Sequence, residues 1–309
     1  MSEQEQDYTG PLDPLDFTIS DQVQGQCLEA LEDYHPRYVL GRRGAAPLTH
    51  PGILLSQSNV TRSPSFTGPN TRWIHLRERT RFTAPARLGD KLTVRWVVEE
   101  HEPWFGRRLT RVSCAVTRDE SGILHRLMWG LRASAERPVP GRDERPDGPA
   151  PGSSAARSSG PAPGRRRPGA APGPALRASP DLAGWEIPGR RKHVTSDRIQ
   201  LFSGRVAHTL HTDEQVAKQA GLPAPVASAT QGMGYLCEFM IDNFGEGWLS
   251  GGSWELTFRK PVFPDDWLCA SGRITATRQA GEGVSCSADV RLANDRDVTV
   301  TSGIATVAY

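Results

Sequence analysis

One motif occurs twice in the sequence, and this repetition is the strongest constraint on how the chain folds. The pattern F-x-x-P-x-x-x-x-D-x-L occurs at Phe82–Leu92 and again at Phe258–Leu268. We call the interval from Phe82 to Phe258 the motif interval. A Val-Ser-Cys-containing segment also recurs, at 112–115 and at 284–287, with a slightly shorter spacing. The two repeated patterns follow each other in the same order and are separated by nearly the same number of residues, which indicates a duplicated fold.

The segment between the two copies has the composition of a linker. Residues 137–180 are rich in Pro, Gly, Ala, Ser and Arg, and their only larger aliphatic residues are Val139 and Leu176. Such a segment buries too little apolar surface to offset the entropy of an ordered chain. The sequence therefore predicts an N-terminal folded unit over 1–136, a disordered linker over 137–180 and a C-terminal folded unit over 181–309.

Each copy shows the same order of predicted elements. Ser20 and Ser196 are predicted N-caps of short helices, and an apolar stripe from Ala229 to Met240 predicts a central helix over about 229–243. Alternating apolar residues predict the strands that follow. A central helix followed by antiparallel strands indicates an α+β fold. The predicted strands are 91–99, 109–117, 254–258, 267–277, 284–292 and 298–308.

The overall composition excludes several classes of function. The formal net charge is only +2, which does not favour a basic nucleic-acid surface. No run of 18 apolar residues is present, so we expect no membrane span, and the polar start of the chain does not resemble a secretory signal. The five cysteines are scattered, with no C-x-x-C pair, which is typical of neither a disulfide framework nor a zinc site. We therefore expect a cytoplasmic protein that binds no metal and no nucleic acid.

Several stretches of the second copy resemble a known family. They are VTSDRIQLFSG at 194–204, the segment His211–Gly221, Pro225-Val-Ala and the repeated motif at Phe258–Asp266. With the SNVTRSPSF stretch at 58–66 of the first copy, they resemble the MaoC-like (R)-specific enoyl-thioester hydratases and dehydratases. The resemblance implies a double hotdog fold: two tandem hotdog units, each an antiparallel sheet wrapped round a central helix. The first unit is then the degenerate half.

The resemblance also implies a reaction. Members of the family are hydro-lyases that add or remove water across the C2–C3 bond of an acyl thioester. The implied substrate here is an acyl-CoA or an acyl-carrier-protein thioester, with CoA or phosphopantetheine as the carrier and no other cofactor. Whether the chain forms a homo-oligomer stays open.

Two histidines of the second copy are candidate catalytic residues. His211 matches the catalytic histidine of the family loop S-G-D-x-N-P-x-H-x-D, and a neutral imidazole is a suitable base near neutral pH. The family Asp is missing, because Val206 stands five residues before His211. His208 is the candidate for the missing acid.

Other residues of the loop and of the helix start complete the predicted site. Ser203 and Gly204 match the S-G pair, and Asp213 is expected to support the loop or to cap the next helix. The backbone N–H groups of Ser228, Ala229 and Thr230 are candidates for binding the thioester oxygen, where the helix dipole is positive.

The missing Asp leaves two alternatives to hydration. One is a changed acyl reaction, such as thioester hydrolysis, acyl transfer or ring closure. The other is a protein that binds a thioester or a carrier protein without catalysis. A second site in the first copy is also open, since His35 precedes His211 by the motif interval, whereas the local pattern places Tyr38 in the histidine position.

Overall fold

The computed structural model describes residues 8–41, 44–66, 71–105, 107–134, 182–280 and 283–308. The predicted linker over 137–180 lies outside the described residues. The boundaries of the three predicted parts therefore stay predictions.

The described residues of the first half form two short strands, three helices and four long strands. Its elements are β1 (Gly10–Pro11), β2 (Leu15–Thr18), α1 (Asp21–Leu31), α2 (Pro36–Val39), α3 (Pro51–Gln57), a 3-10 turn (Val60–Arg62), β3 (Thr71–Phe82), β4 (Lys91–Trp104), β5 (Arg107–Arg118) and β6 (Ser121–Ser134).

The second half repeats this order with a longer central helix. Its elements are β7 (Glu186–His193), α4 (Ser196–Phe202), α5 (Glu214–Gln219), α6 (Ala229–Phe244), α7 (Gly247–Gly251), β8 (Ser253–Phe258), β9 (Trp267–Ala280), β10 (Gly283–Asn294) and β11 (Thr299–Ala308). All six predicted strands are present, with ends that differ by a few residues. Strands β1, β2, β3, β6 and β7 were not predicted.

The strands form one antiparallel sheet in which the two halves meet at their edges. The order is β1-β4-β5-β6-β3-β8-β11-β10-β9-β7, with β2 also paired to β4. The junction is the β3–β8 pair, where Thr80 lies opposite Trp254. Helices α3 and α6 are held inside this sheet, and 13 of the 16 residues of α6 are buried. Within the described ranges, no helix combines the length and the apolar character needed to cross a membrane.

The duplication is exact in the first two strands that follow the repeated motif. Strand β9 begins and ends one motif interval after β4, and β10 begins and ends one motif interval after β5. The bulge is repeated too. The pairing of β4 with β5 shifts register between Val98 and Glu100, and the pairing of β10 with β9 shifts register at the equivalent place, between Ser287 and Ala288. Val112 therefore corresponds to Ala288, and the shorter spacing inferred from the Val-Ser-Cys match was wrong.

The repeated motif ties a strand turn to the start of each central helix. The carboxylate of Asp90 accepts the Arg87 N–H at 2.8 Å, and Asp266 accepts the Phe263 N–H at 2.8 Å in the same way. The turn then presents a backbone carbonyl to the residue two before the helix. The Thr49 N–H donates to Ala86 at 2.8 Å, and the Ala227 N–H donates to Val262 at 2.9 Å. The motif thus sets where each central helix begins.

The two central helices differ in length and in how they are capped. The predicted helix over 229–243 is confirmed as α6, whereas α3 has only seven residues. Ser20 caps α1 as predicted, but Thr195 rather than Ser196 caps α4. Helix α6 passes close to the first half at Gly234, where a Cβ would lie 2.8 Å from Leu31 Cδ1.

A fully buried ion pair joins the sheet to the end of α3. Arg126 donates to both carboxylate oxygens of Glu78 at 2.7 Å and to the Leu55 carbonyl at 2.7 Å. Burial raises the pKa of Glu78, but Arg126 and His75 outweigh it and lower this pKa to about 2. The carboxylate is therefore ionised at neutral pH and depends on its partner.

Replacing Arg126 by methionine should destabilise the protein strongly. The change leaves the Glu78 charge buried without a counter-charge, which costs about 3–5 kcal/mol of unfolding free energy. Chemical denaturation measures this loss. The double variant Arg126→Met with Glu78→Gln should recover a large part of it, and a double variant no more stable than the single one would contradict the ion-pair explanation.

Candidate active site

His211 is held in one orientation beside the start of helix α6. Its Nδ1–H donates to the Val226 carbonyl at 2.7 Å, two residues before the N-cap Ser228. The Val226 N–H donates in turn to the Leu210 carbonyl at 3.0 Å, so the two segments run side by side. Because Nδ1 carries the proton, Nε2 is the basic atom of the neutral ring. Among the described residues, Nε2 has no hydrogen-bond partner.

The surroundings of His211 favour its neutral form. The side chain retains some exposed surface but is densely surrounded by protein atoms. Burial lowers the pKa of His211 below its usual 6.5, the hydrogen bond to Val226 opposes this shift, and the charge of Arg62 adds to it. The imidazole is thus available as a base at neutral pH.

The start of α6 offers two open N–H groups next to this histidine. The Ser228 hydroxyl accepts the Gln231 N–H at 3.2 Å and so caps the helix. Ala229 and Thr230 are the first two helical residues, whose N–H groups have no acceptor within the helix. No acceptor for them occurs in the described parts of the chain, so both can bind an oxygen atom of a ligand.

Ser203 and Gly204 form the turn that ends α4. The loop over 205–213 follows this turn and carries His211, and we call it the active loop. The N–H groups of Ser203 and Gly204 donate to the Ile199 and Leu201 carbonyls, each at 3.1 Å. Gly204 has a φ of +75°, which glycine adopts without strain. Val206, which the resemblance sets in the place of the family Asp, is 48% exposed. Within the described ranges, no carboxylate lies within hydrogen-bond distance of His211.

His208 lies on the surface rather than beside His211. Its side chain is 85% exposed, and Nδ1 is 2.9 Å from Asp213 Oδ2. The other carboxylate oxygen of Asp213 accepts the Gln215 and Val216 N–H groups, so Asp213 caps α5. The pair fixes the end of the active loop. The catalytic role suggested for His208 stays a prediction and has no contact with His211 to support it.

Arg62, from the first half, reaches the site and was missed by the sequence reasoning. It ends the 3-10 turn after α3, and its Nη2 lies 3.8 Å from a Cβ built on Gly204. It is also close enough to His211 for its charge to lower the pKa of that histidine. No local pattern marks Arg62, because only the packing of the two halves brings it to this loop.

The first half has no histidine at the position that corresponds to His211. The Leu48 N–H donates to the Arg37 carbonyl at 2.9 Å, as Val226 does to Leu210. Tyr38 is therefore the residue that corresponds to His211, as the local pattern suggested, and His35 is not. Tyr38 is 2% exposed, and Gln24 instead of an imidazole donates to the Leu48 carbonyl at 2.7 Å.

The helix start of the first half is closed as well. Pro51, the first residue of α3, has no N–H, and the next N–H, of Gly52, donates to His50 Nδ1 at 2.9 Å. His50 is fully buried, and its Nε2 lies 3.1 Å from Asp33 Oδ2. Both donors that are open in the second half are thus absent or occupied here. Within the described residues, the chain therefore offers one candidate site.

Candidate metal ligands are not clustered in the part of the chain that the structure describes. No group of three or more His, Cys, Asp or Glu side chains is placed to hold an ion there. Four of the five cysteines are buried, and Cys269 is half-buried. The expectation of no metal and no further cofactor stays a prediction.

One family model matches the part of the chain that contains this candidate site. Residues 188–294, which include the active loop and the start of α6, match the family model described as "MaoC like domain". Residues 188–294 are a MaoC-like domain. No curated protein matches the chain in sequence.

Solved structures with the same fold cover both halves. A structure described as a MaoC-like dehydratase has a TM-score of 0.69 at 16% identity, with 97% of this chain and 96% of that one covered. A MaoC-like dehydratase from Phytophthora capsici has a TM-score of 0.62 at 13% identity over 97% of this chain and 96% of that one. A conserved hypothetical protein of Mycobacterium tuberculosis described as having a double hotdog fold has a TM-score of 0.62 at 16% identity, covering 96% of each chain. These likenesses confirm the predicted double hotdog fold.

Proposed function

We propose that the chain is a hydro-lyase that adds or removes water across the C2–C3 bond of an acyl thioester. One observation carries the proposal: the Nδ1–H of His211 donates to the carbonyl of Val226, which lies two residues before the N-cap of α6. The base His211 is therefore hydrogen-bonded to the same short segment, Val226 to Thr230, that carries the two backbone donors for an oxyanion. The match of this segment to the MaoC-like domain supports hydro-lyase chemistry in general terms.

The helix start would serve the thioester carbonyl. In dehydration, removal of the C2 proton places negative charge on the thioester oxygen. The N–H groups of Ala229 and Thr230, at the positive end of a 16-residue helix, are suited to stabilise it. This chemistry needs no metal and no redox cofactor. The thioester is carried by CoA or by the phosphopantetheine of a carrier protein. The proposal also includes a cytoplasmic location for the protein.

Without the family Asp, His211 would handle both proton transfers. Nε2 takes the C2 proton, and the electron pair of the C–H bond moves into the enolate. The enolate then re-forms the carbonyl as the C2–C3 double bond forms and the C3–O bond breaks. The imidazolium returns its proton to the departing hydroxyl, which leaves as water. Hydration is the reverse, with His211 activating a water molecule for attack at C3.

Thioester hydrolysis is the second candidate. It is favoured by the lack of a carboxylate within hydrogen-bond distance of His211 in the described ranges. A neutral imidazole beside an oxyanion site can activate water for attack on the thioester carbon itself. The same residues would then release the free acid and the thiol.

Isotope labelling distinguishes these functions. The protein is incubated with short and medium 2-enoyl-CoA thioesters in heavy-oxygen water, and the products are followed by mass. One labelled hydroxyl in an intact thioester is the expected result. Release of free CoA would establish hydrolysis instead. Saturable binding without turnover of either CoA-bound or carrier-bound enoyl thioesters would contradict both reactions and favour a binding protein.

The pH dependence of hydration should follow the neutral form of His211. Because burial lowers the pKa of His211, the active imidazole persists below pH 6.5, and activity falls only as the pH drops through the lowered pKa. We expect the acid limb of kcat/KM to have its midpoint below 6.5. A midpoint above 6.5 would contradict His211 as the base that titrates.

A further inference from the structure

The guanidinium of Arg62 is a positive charge without a counter-charge inside the candidate site. It is half-buried and belongs to the degenerate first half, yet it lies against Gly204, which precedes the active loop. Among the described residues, no carboxylate is within ion-pair distance of it and no acceptor binds it. Burial of this unpaired group lowers the pKa of Arg62.

Among the described residues, the two cations that are more deeply buried than Arg62 have anionic partners. Arg126 is paired with Glu78, and Lys192 lies 2.7 Å from the carboxylate of Glu238. Partial burial of a charge that lacks such a partner still costs free energy, and an anionic ligand would offset this cost. The neighbourhood of Arg62 thus fits an anion that comes from outside the chain.

We propose that Arg62 binds a carboxylate on the acyl group of the substrate, so that the site takes acyl thioesters with a second acid group. This rests on the proposed function in that an acyl thioester occupies the site. Arg62 adjoins the loop that carries His211, so its anion lies near the reacting carbons. The phosphates of CoA are separated from those carbons by the whole pantetheine arm. A guanidinium also matches a carboxylate with two parallel hydrogen bonds.

Binding of two matched esters tests the proposal without any turnover. Succinyl-CoA and butyryl-CoA have acyl chains of the same length that end in a carboxylate or a methyl group. Calorimetry should show that the wild-type protein binds succinyl-CoA about tenfold or more tightly than butyryl-CoA. Arg62→Gln should abolish this preference and leave butyryl-CoA binding unchanged, and Arg62→Lys should restore part of it.

A matched control separates this effect from general charge or misfolding. Arg278 is exposed on β9, and Arg278→Gln removes the same charge while the preference should persist. Thermal denaturation verifies that each variant is folded. Should Arg62→Gln fail to fold, Arg62→Lys decides: a preference weaker than that of the wild type supports the proposal, and an undiminished preference overturns it.

Three outcomes would overturn the proposal. They are equal binding of the two esters by the wild type, a preference that survives in Arg62→Gln, and equal weakening of both esters and of free CoA, which would place Arg62 on the phosphates. If no CoA ester binds, the thioester function fails on its own. Free succinate then decides for Arg62: it should raise the melting temperature of the wild type and not of Arg62→Gln, and no effect on either overturns the anion site.

Discussion

Replacing His211 by asparagine should lower kcat for hydration by a factor of about 10²–10⁴, the usual contribution of a general base. Asparagine places an amide N–H close to where Nδ1 lies, so the hydrogen bond to Val226 at 2.7 Å has a substitute. The basic Nε2 is lost without releasing the segment that precedes α6. We therefore expect kcat to fall while the melting temperature and the binding of acyl-CoA change little.

His208→Asn is the matched comparison for this experiment. His208 is 85% exposed and paired with Asp213, so we expect its replacement to leave kcat close to the wild-type value. Assays of both variants with the same enoyl thioester compare their kcat values. An equal loss in His208→Asn would show that the loop rearranges to use both histidines. Full activity of His211→Asn would remove His211 from the chemistry.

The repeated motif explains why so much of the fold was predictable. The motif interval, from Phe82 to Phe258, relates β4 to its copy β9, down to the position of the bulge. Two copies of one pattern report the same structure twice, so errors in one are corrected by the other. The Val-Ser-Cys match misled because strand residues of similar type recur by composition, and only the strand pairing reveals the correct spacing.

The closed state of the first half was partly visible in the sequence. His50-Pro51 stands where Ser228-Ala229 stands in the second half, and proline at a first helical position has no N–H to offer. The sequence could not show that His50 also accepts the next N–H, because this hydrogen bond depends on the rotamer of the His50 side chain. Arg62 had no such signal, since the loop that it adjoins, at Gly204, belongs to the other copy and lies far along the chain.

Replacing Ala229 by proline should lower kcat by about 10²–10³ while leaving the fold intact. The change removes one of the two open N–H groups at the start of α6, and loss of a single oxyanion donor typically has this effect. Proline is tolerated at the first position of a helix. The preceding residue Ser228 already has the extended conformation that proline requires, with φ −67° and ψ 150°.

The chain itself contains the precedent for this variant, because Pro51 begins α3 at the corresponding position. Ala229→Val is the control, since valine adds bulk comparable to that of proline and retains the N–H. Kinetics of both variants, together with their melting temperatures, separate the donor from the added volume. If Ala229→Val loses as much activity as Ala229→Pro, the added bulk explains the loss. If Ala229→Pro retains wild-type kcat, the Ala229 N–H does not bind the thioester oxygen. Loss in the proline variant alone would identify this N–H as part of the oxyanion site. It would also explain why the first half, whose helix α3 begins with Pro51, carries no second oxyanion site.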